Sequence, residues 1–350
     1  MRRVPGILRA LTVCVVMLFP TNVEMGSMFS NDLLVNVFMF LGLTLLWYMV
    51  RRGGILQRRL WLRAAAVIGL AVAFKSNGVI MLGVVLALAA YAALVYFLKH
   101  QPVLARRVIG MSALSVPLVL LPMAVNLWHT SHYISDGLLG ITLPEHVYIP
   151  PMPLSFLTTL DLSIFSNPFS YGPGEGSYWS MQYITLHNDY YNHWSSTAYN
   201  TYPRSIMYTP NHRSPFPLTH YADAKLIVWL GIPITAVMLF GFFYSLYRVI
   251  FRRRFALRDG SLLIVLVTLA SEGAQIQRYM SFAVVRAVVV HARYSAFLYV
   301  ALFVVGVTCL WKCFGYRKIA GLVLFAGLIV VMSAYSYASV RLLWLPPPFP

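Results

Sequence analysis

The chain has few charged residues and very few acidic ones. Only 11% of its 350 residues are Asp, Glu, Lys or Arg, whereas about a quarter is typical of a soluble domain. The mean hydropathy is +0.70, so the composition excludes an ordinary soluble protein and predicts that lipid is the solvent. Cysteine is also scarce. Cys14, Cys309 and Cys313 lie within or beside apolar stretches, so no disulfide framework is predicted.

The motifs of common soluble enzymes are absent as well. The sequence contains no P-loop, no dinucleotide-binding glycine pattern and no His-Glu-x-x-His, and it has no Gly-x-Ser-x-Gly nucleophile elbow. His187 and His193 lie six positions apart around Asp189, which is not a recurrent metal-ligand spacing. No metal site is therefore predicted, and the cofactor is left unknown, with a divalent cation as an open alternative.

Long apolar stretches dominate what is present. Their lengths are close to the roughly 20 residues that cross a bilayer as a helix. They predict about nine transmembrane helices, at 4–20, 32–50, 60–75, 78–98, 106–127, 224–248, 260–275, 293–312 and 319–338. The stretch 60–98 is long for one span and short for two. Lys75-Ser-Asn-Gly78 interrupts it and predicts a turn; a single tilted helix, the alternative, would invert the topology beyond it.

The basic residues cluster between these stretches, on alternate sides of the spans. Positive loops stay in the cytoplasm, and the clusters share one side if all nine stretches cross. The net charge of +17 is therefore explained by topology, with anionic membrane lipid as partner and no nucleic acid. The predicted location is the cell inner (plasma) membrane, multi-pass, with a cytoplasmic N-terminus. The first stretch lacks a small-residue cleavage site, which favours an uncleaved span.

The predicted organisation is an all-α polytopic membrane protein with one large extracytoplasmic loop. A membrane domain at 1–127 is followed by the loop at 128–223, a second membrane domain at 224–340 and a tail at 341–350. Segment 177–200 of the loop is the densest in aromatic residues. Two interpretations stay open for it. It forms short helices lying at the membrane interface, which Trp and Tyr favour, or its flat rings form a carbohydrate platform.

Charged residues at membrane depth are rare and are usually functional. Asp32, Lys75, Glu272 and Arg293 are predicted to share a mixed-charge cleft near the outer face. Each also has a structural interpretation. Asp32 suits a helix N-terminus, Lys75 and Arg293 suit snorkelling anchors, and Glu272 could pair with Arg278. In the functional interpretation Lys75 and Arg293 hold a lipid phosphate, while Asp32 and a loop acid such as Asp189 act on a sugar acceptor or a metal.

Three segments carry a family resemblance. They are Gly26-Ser-Met-Phe-Ser-Asn-Asp32 before an apolar span, Phe74-Lys75-Ser-Asn-Gly78 between two short spans, and His291-Ala-Arg293-Tyr294 opening a span. The loop from Trp179 to Trp194, with Asp189-Tyr-Tyr, adds to them. In the order and topology of these segments the chain resembles membrane glycosyltransferases of the C-type fold, in particular bacterial relatives of the dolichyl-phosphate-mannose protein mannosyltransferases and of the aminoarabinose transferase.

The resemblance implies inverting transfer of a sugar from a polyprenyl-phosphate donor to an extracytoplasmic acceptor. It assigns catalytic roles to Asp32 and Asp189, and donor-phosphate binding to Lys75, Arg293 and Tyr294. Acceptor or sugar binding is expected at Trp179, His193 and Trp194.

Members of this family usually begin with a further span and an outer loop that carries an essential acid. The resemblance therefore implies an N-terminally truncated member, which keeps a non-catalytic envelope polysaccharide assembly protein as an alternative. A lipid-linked sugar transporter or flippase is the other alternative, although the sequence shows no internal repeat of the kind common in transporters.

Overall fold

A computed structural model describes residues 4–22, 31–130, 153–166, 177–188, 218–251, 260–281, 295–315 and 318–344. All regular structure within these ranges is helical. The long helices overlap the predicted apolar stretches. They are α1 (Gly6–Met17), α2 (Asn31–Arg51), α3 (Arg58–Phe74), α4 (Ile80–Leu98), α5 (Pro102–Thr130), α8 (Leu218–Phe251), α9 (Ser261–Ser281), α10 (Ala296–Phe314) and α11 (Lys318–Trp344). Two short helices, α6 (Ser155–Thr158) and α7 (Tyr178–His187), lie between α5 and α8.

Six of the helices are long and apolar enough to cross a membrane. They contain the segments Asp32–Arg51, Asn77–Leu98, Pro102–His129, Ala222–Phe251, Ala296–Phe314 and Gly321–Arg341. The apolar parts of α1 and α9 are shorter, and α3 has 17 residues, with three arginines at its start. The chain is thus an all-α, multi-pass membrane protein. The total of nine spans remains a prediction.

The outer surfaces of the helices are apolar. On α11 the side chains of Ile319, Leu322, Val323 and Val330 are exposed, and the other long helices except α10 also expose Leu, Val or Ile. A soluble protein seldom exposes such extended apolar surface. Helices that satisfy their own backbone hydrogen bonds can present it to lipid.

The turn predicted at Lys75 is confirmed. Helix α3 ends at Phe74, Lys75 is extended with φ −164° and ψ 142°, and Ser76–Val79 forms one 3₁₀ turn before α4. Gly78 lies against the last turn of α3. A Cβ atom at this position would come within 2.6 Å of the Ala71 carbonyl carbon, so the close return of the chain requires glycine.

Helices α2 and α3 form an antiparallel pair, with Arg51 and Arg58 at the connected end and Asp32 and Lys75 at the other. Helix α5 packs on both α3 and α4. In the second half of the chain α8 packs on α9, α10 and α11. Helix α5 continues to Thr130 and α8 begins at Leu218, so both extend into the segment predicted as loop.

Helix α7 is buried within the bundle. Eight of its ten residues are buried, and its side chains contact α8, α9, α10 and α11. The sequence leaves two interpretations open for segment 177–200, short helices at the membrane interface or a carbohydrate platform, and the structure describes residues 177–188 of it. The burial instead makes α7 an internal packing element that connects four long helices.

Candidate functional site

Asp32 and Lys75 form an ion pair at one end of the first helices. Lys75 Nζ lies 2.7 Å from Asp32 Oδ1. The side chain of Lys75 is only 19% exposed and that of Asp32 only 11%. Asp32 lies in the first turn of α2, where the helix dipole favours an acid. Lys75 follows the last residue of α3. The sequence predicts a shared cleft for these two charges, and the structure brings them into direct contact, a pairing that was not predicted.

A buried asparagine connects this pair to the start of α10. Asn36 Nδ2 donates to the Asp32 carbonyl oxygen at 2.8 Å, and Asn36 Oδ1 accepts from the Phe297 amide at 3.0 Å. The helix that follows the predicted Arg293-Tyr294 motif therefore begins beside Asp32. This contact brings together helices from both ends of the chain.

Glu272 of α9 is the centre of a second polar cluster. Its two carboxyl oxygens contact the hydroxyl groups of Tyr178 and Tyr299, each at 2.9 Å. Gln182 Nε2 donates to Tyr178 at 3.1 Å and to Gln275 Oε1 at 2.8 Å. Gln275 in turn donates to Ser295 Oγ. The cluster joins α7, α9 and α10, and it gives Glu272 two tyrosine partners. The Arg278 side chain, considered as a partner from the sequence, lies outside the described residues.

The single proton of the Tyr299 hydroxyl limits which contacts in this cluster can be hydrogen bonds. The Tyr299 oxygen lies 2.9 Å from Glu272 Oε1 and 3.1 Å from Gln182 Oε1, yet a tyrosine hydroxyl has one proton to donate. A side chain at position 272 that can donate a hydrogen bond, such as a glutamine amide, would donate to the Tyr299 oxygen. The Tyr299 hydroxyl could then donate its own proton to Gln182 Oε1. The two contacts can then both be full hydrogen bonds.

The other side of α7 carries a buried histidine. His187 Nδ1 lies 2.8 Å from the Tyr335 hydroxyl, and Nε2 lies 2.8 Å from Thr235 Oγ1. Burial in apolar surroundings lowers the pKa of His187 to about 3, so the ring is neutral at physiological pH. Burial also raises the pKa of the neighbouring Tyr183, whose protonated hydroxyl donates to the Val228 carbonyl oxygen. His187 therefore anchors α7 and has no free nitrogen for a metal.

Trp179 contacts Leu157 and Tyr178. Its indole Nε1 donates to the Leu157 carbonyl oxygen at 2.9 Å, and its ring meets Tyr178 edge-on at 4.9 Å. The residue as a whole is 42% exposed. Within the described ranges no three His, Cys, Asp or Glu residues are grouped to hold a metal ion.

The remaining predicted site residues lie outside the described ranges. They are Asp189, His193, Trp194, Arg293 and Tyr294. Conversely, sequence reasoning missed Asn36, Gln182 and Tyr299 as partners in the polar clusters. A pattern that could have found part of this is in α7, where Tyr178 and Gln182, and Tyr183 and His187, each lie four positions apart. That spacing puts polar groups on two faces of one helix.

No family model matches the chain, and no curated protein or solved structure is similar to it. The fold and the polar clusters define a class: an all-helical, multi-pass membrane protein with a partly buried ion pair at one end of its bundle and a buried polar cluster beside it.

Proposed function

We propose that the protein transfers a sugar from a polyprenyl-phosphate donor to an extracytoplasmic acceptor, with inversion at the sugar carbon. The observation that carries the proposal is the Lys75–Asp32 pair at 2.7 Å in a largely buried position. Charged groups at membrane depth are kept for ion pathways, substrates or proton relays. A lysine at the end of a span is a suitable ligand for the phosphate of a donor whose prenyl chain lies in the lipid.

The proposed site combines charges of both signs. A sugar-phosphodiester donor, Asp32 and the proposed base Asp189 bring one negative charge each, while Lys75 and the predicted Arg293 supply two positive charges. The acceptor hydroxyl oxygen forms a bond to the anomeric carbon, and the bond from that carbon to the phosphate oxygen breaks. The electron pair leaves with the polyprenyl phosphate, which the cations stabilise. The hydroxyl proton passes to a carboxylate acting as general base.

The Asp32 carboxylate already bonds the Lys75 ammonium group. Its proposed role is therefore to orient Lys75 toward the phosphate, and Asp189 is the proposed general base. Trp179, His193 and Trp194 are the proposed contacts for the sugar or the acceptor, and Tyr294 is a further proposed phosphate ligand. The partial exposure of the residue Trp179 is compatible with this assignment.

The proposed topology has nine spans in the inner membrane. The arginines that end α2 and begin α3 lie at the opposite end of these helices from the ion pair. The positive-inside rule then puts the arginines in the cytoplasm and the Asp32–Lys75 pair on the extracytoplasmic side, where a transferase of this kind meets its acceptor.

The proposal is tested by following donor cleavage. The full chain in nanodiscs is incubated with polyprenyl-phosphate sugars and an envelope extract, and released polyprenyl phosphate is measured by mass spectrometry. We expect wild type and Lys99→Ala to release polyprenyl phosphate and Lys75→Ala to lose this activity. Lys99 is the control because it follows the last residue of α4, at the opposite end of that helix from the turn at Lys75. Movement of intact donor across a bilayer without release would identify a flippase. Binding without release would identify a non-catalytic assembly protein.

A further inference from the structure

The first turn of α10 is capped by residues from other helices. Ser295 is the N-cap residue, and its side chain makes no capping bond within its own helix. Its hydroxyl oxygen instead accepts from Gln275 of α9. The Phe297 amide, one of the unpaired donors at a helix start, is bonded at 3.0 Å to Asn36 Oδ1 of α2. An N-cap side chain usually fills this role from within the same helix.

Asn36 uses both ends of its amide for this connection. Its nitrogen bonds the carbonyl oxygen of Asp32 at 2.8 Å, one turn earlier on α2, while its oxygen bonds α10. The side chain is buried, with 8% exposure for the residue, so water does not readily replace either bond. A rigid amide thus fixes the turn that carries Asp32 against the start of α10.

We propose that Asn36 is a positioning residue of the lipid-phosphate site. It holds the Asp32–Lys75 pair at a fixed distance from the first turn of α10. Asn36 does not touch the phosphate itself. This inference rests on the proposed function, because it assigns to Asn36 a role in binding the lipid phosphate at that same pair.

The test is a titration of undecaprenyl phosphate against the full chain in nanodiscs. Asn36→Ala removes the acceptor for the Phe297 amide and the bond to the Asp32 carbonyl. A roughly tenfold loss of affinity is expected, the size set by one or two buried hydrogen bonds. Ser115→Ala is the matched control. Ser115 is fully buried and bonds only its own helix, at the Met111 carbonyl, so its loss should leave the affinity unchanged.

A double-mutant cycle separates positioning from general structure. If Asn36 acts through the ion pair, Asn36→Ala has no further effect on affinity once Lys75→Ala is present, so the two changes are not additive. A general packing defect would lower affinity by the same factor in both backgrounds. The milder Asn36→Ser, which shortens the side chain, is used if Asn36→Ala does not fold, and the same loss of affinity is expected.

The outcomes separate this inference from the proposed function. If Lys75→Ala weakens binding while both Asn36 variants bind as wild type does, the inference is overturned and the site stands. Equal losses in both backgrounds of the cycle also overturn it. If wild type does not bind undecaprenyl phosphate at all, the proposed site fails, and the role of Asn36 fails with it.

Discussion

The Tyr178 hydroxyl donates to Glu272 Oε2 at 2.9 Å, although 94 positions separate the two residues. This bond ties the short internal helix α7 to the long helix α9. With Tyr299 bonded to the other carboxyl oxygen, the acid holds three helices together. Glu272 is therefore assigned a structural role, distinct from the proposed phosphate site at Asp32 and Lys75.

The Glu272 cluster predicts opposite results for two substitutions. Glu272→Gln should be tolerated within about 1 kcal/mol, because its amide can donate to Tyr299 and accept from Tyr178. Glu272→Leu removes the carboxyl oxygens that accept from the Tyr178 and Tyr299 hydroxyl groups, although Tyr299 keeps Gln182 Oε1 as an acceptor. A loss of about 1–3 kcal/mol is expected for the buried donor that loses its acceptor. The measurement is thermal unfolding in detergent, followed by tryptophan fluorescence. Gln277→Leu, at an exposed position of the same helix, is the control, and equal effects of the two Glu272 changes would refute the structural role.

Gly231 predicts a steric effect at the contact between α7 and α8. A Cβ atom there would lie 2.7 Å from the His187 ring and 2.8 Å from the Tyr183 hydroxyl oxygen, so Gly231→Ala must push α7 away from α8. We expect a loss of about 1–3 kcal/mol, typical of overpacking. Gly110→Ala is the control because its Cβ atom meets nothing within 4 Å. The same melting temperature in both variants would show that α7 does not pack as described.

His187 predicts acid sensitivity. Its pKa is about 3 in the folded protein and about 6.5 when unfolded. Below pH ~6.5 the unfolded chain takes up a proton that the folded chain does not. The contribution of His187 to the free energy of unfolding should therefore be constant above pH ~6.5 and fall toward pH 3, by about 1.4 kcal/mol per pH unit.

The measurement is the melting temperature of wild type and His187→Gln between about pH 7.5 and 5, which brackets the pKa of ~6.5 for an unfolded histidine. The variant keeps an amide that can bond Tyr335 and Thr235 but cannot titrate. It should lose less stability on acidification than wild type does. Parallel curves would mean that His187 is not the group responsible.

The helices could be predicted from sequence because their causes are local. A bilayer-length apolar stretch specifies a span, and Lys75-Ser-Asn-Gly78 specifies the break between α3 and α4. That Asp32 and Lys75 lie near each other could be anticipated because both lie at the ends of predicted spans on the same side, but their direct ion pair was not predicted. The position of α7 could not be predicted from the sequence. Tyr178, Gln182 and Trp179 suit a membrane surface as well as an interior, and only the long-range partners Glu272, Gln275 and Tyr299 decide between them.

The proposed topology predicts which ends of the helices are accessible from each side. With Cys14, Cys309 and Cys313 replaced by serine, a single cysteine at Lys99 should react with a membrane-impermeant reagent only from the cytoplasmic side. A cysteine at Leu160, an exposed position between α6 and α7, should react only from outside. Labelling of both from the same side would refute the nine-span arrangement.

The most direct test of the central claim is binding of undecaprenyl phosphate to the purified chain in nanodiscs. Wild type, Lys75→Ala and Arg293→Ala are titrated together, with Lys99→Ala as the control. A phosphate site at the Asp32–Lys75 pair predicts saturable binding that weakens at least about tenfold in the first two variants, as expected for a lost charge-assisted bond, and is unchanged in the control. No binding, or equal binding by all four proteins, would contradict the claim.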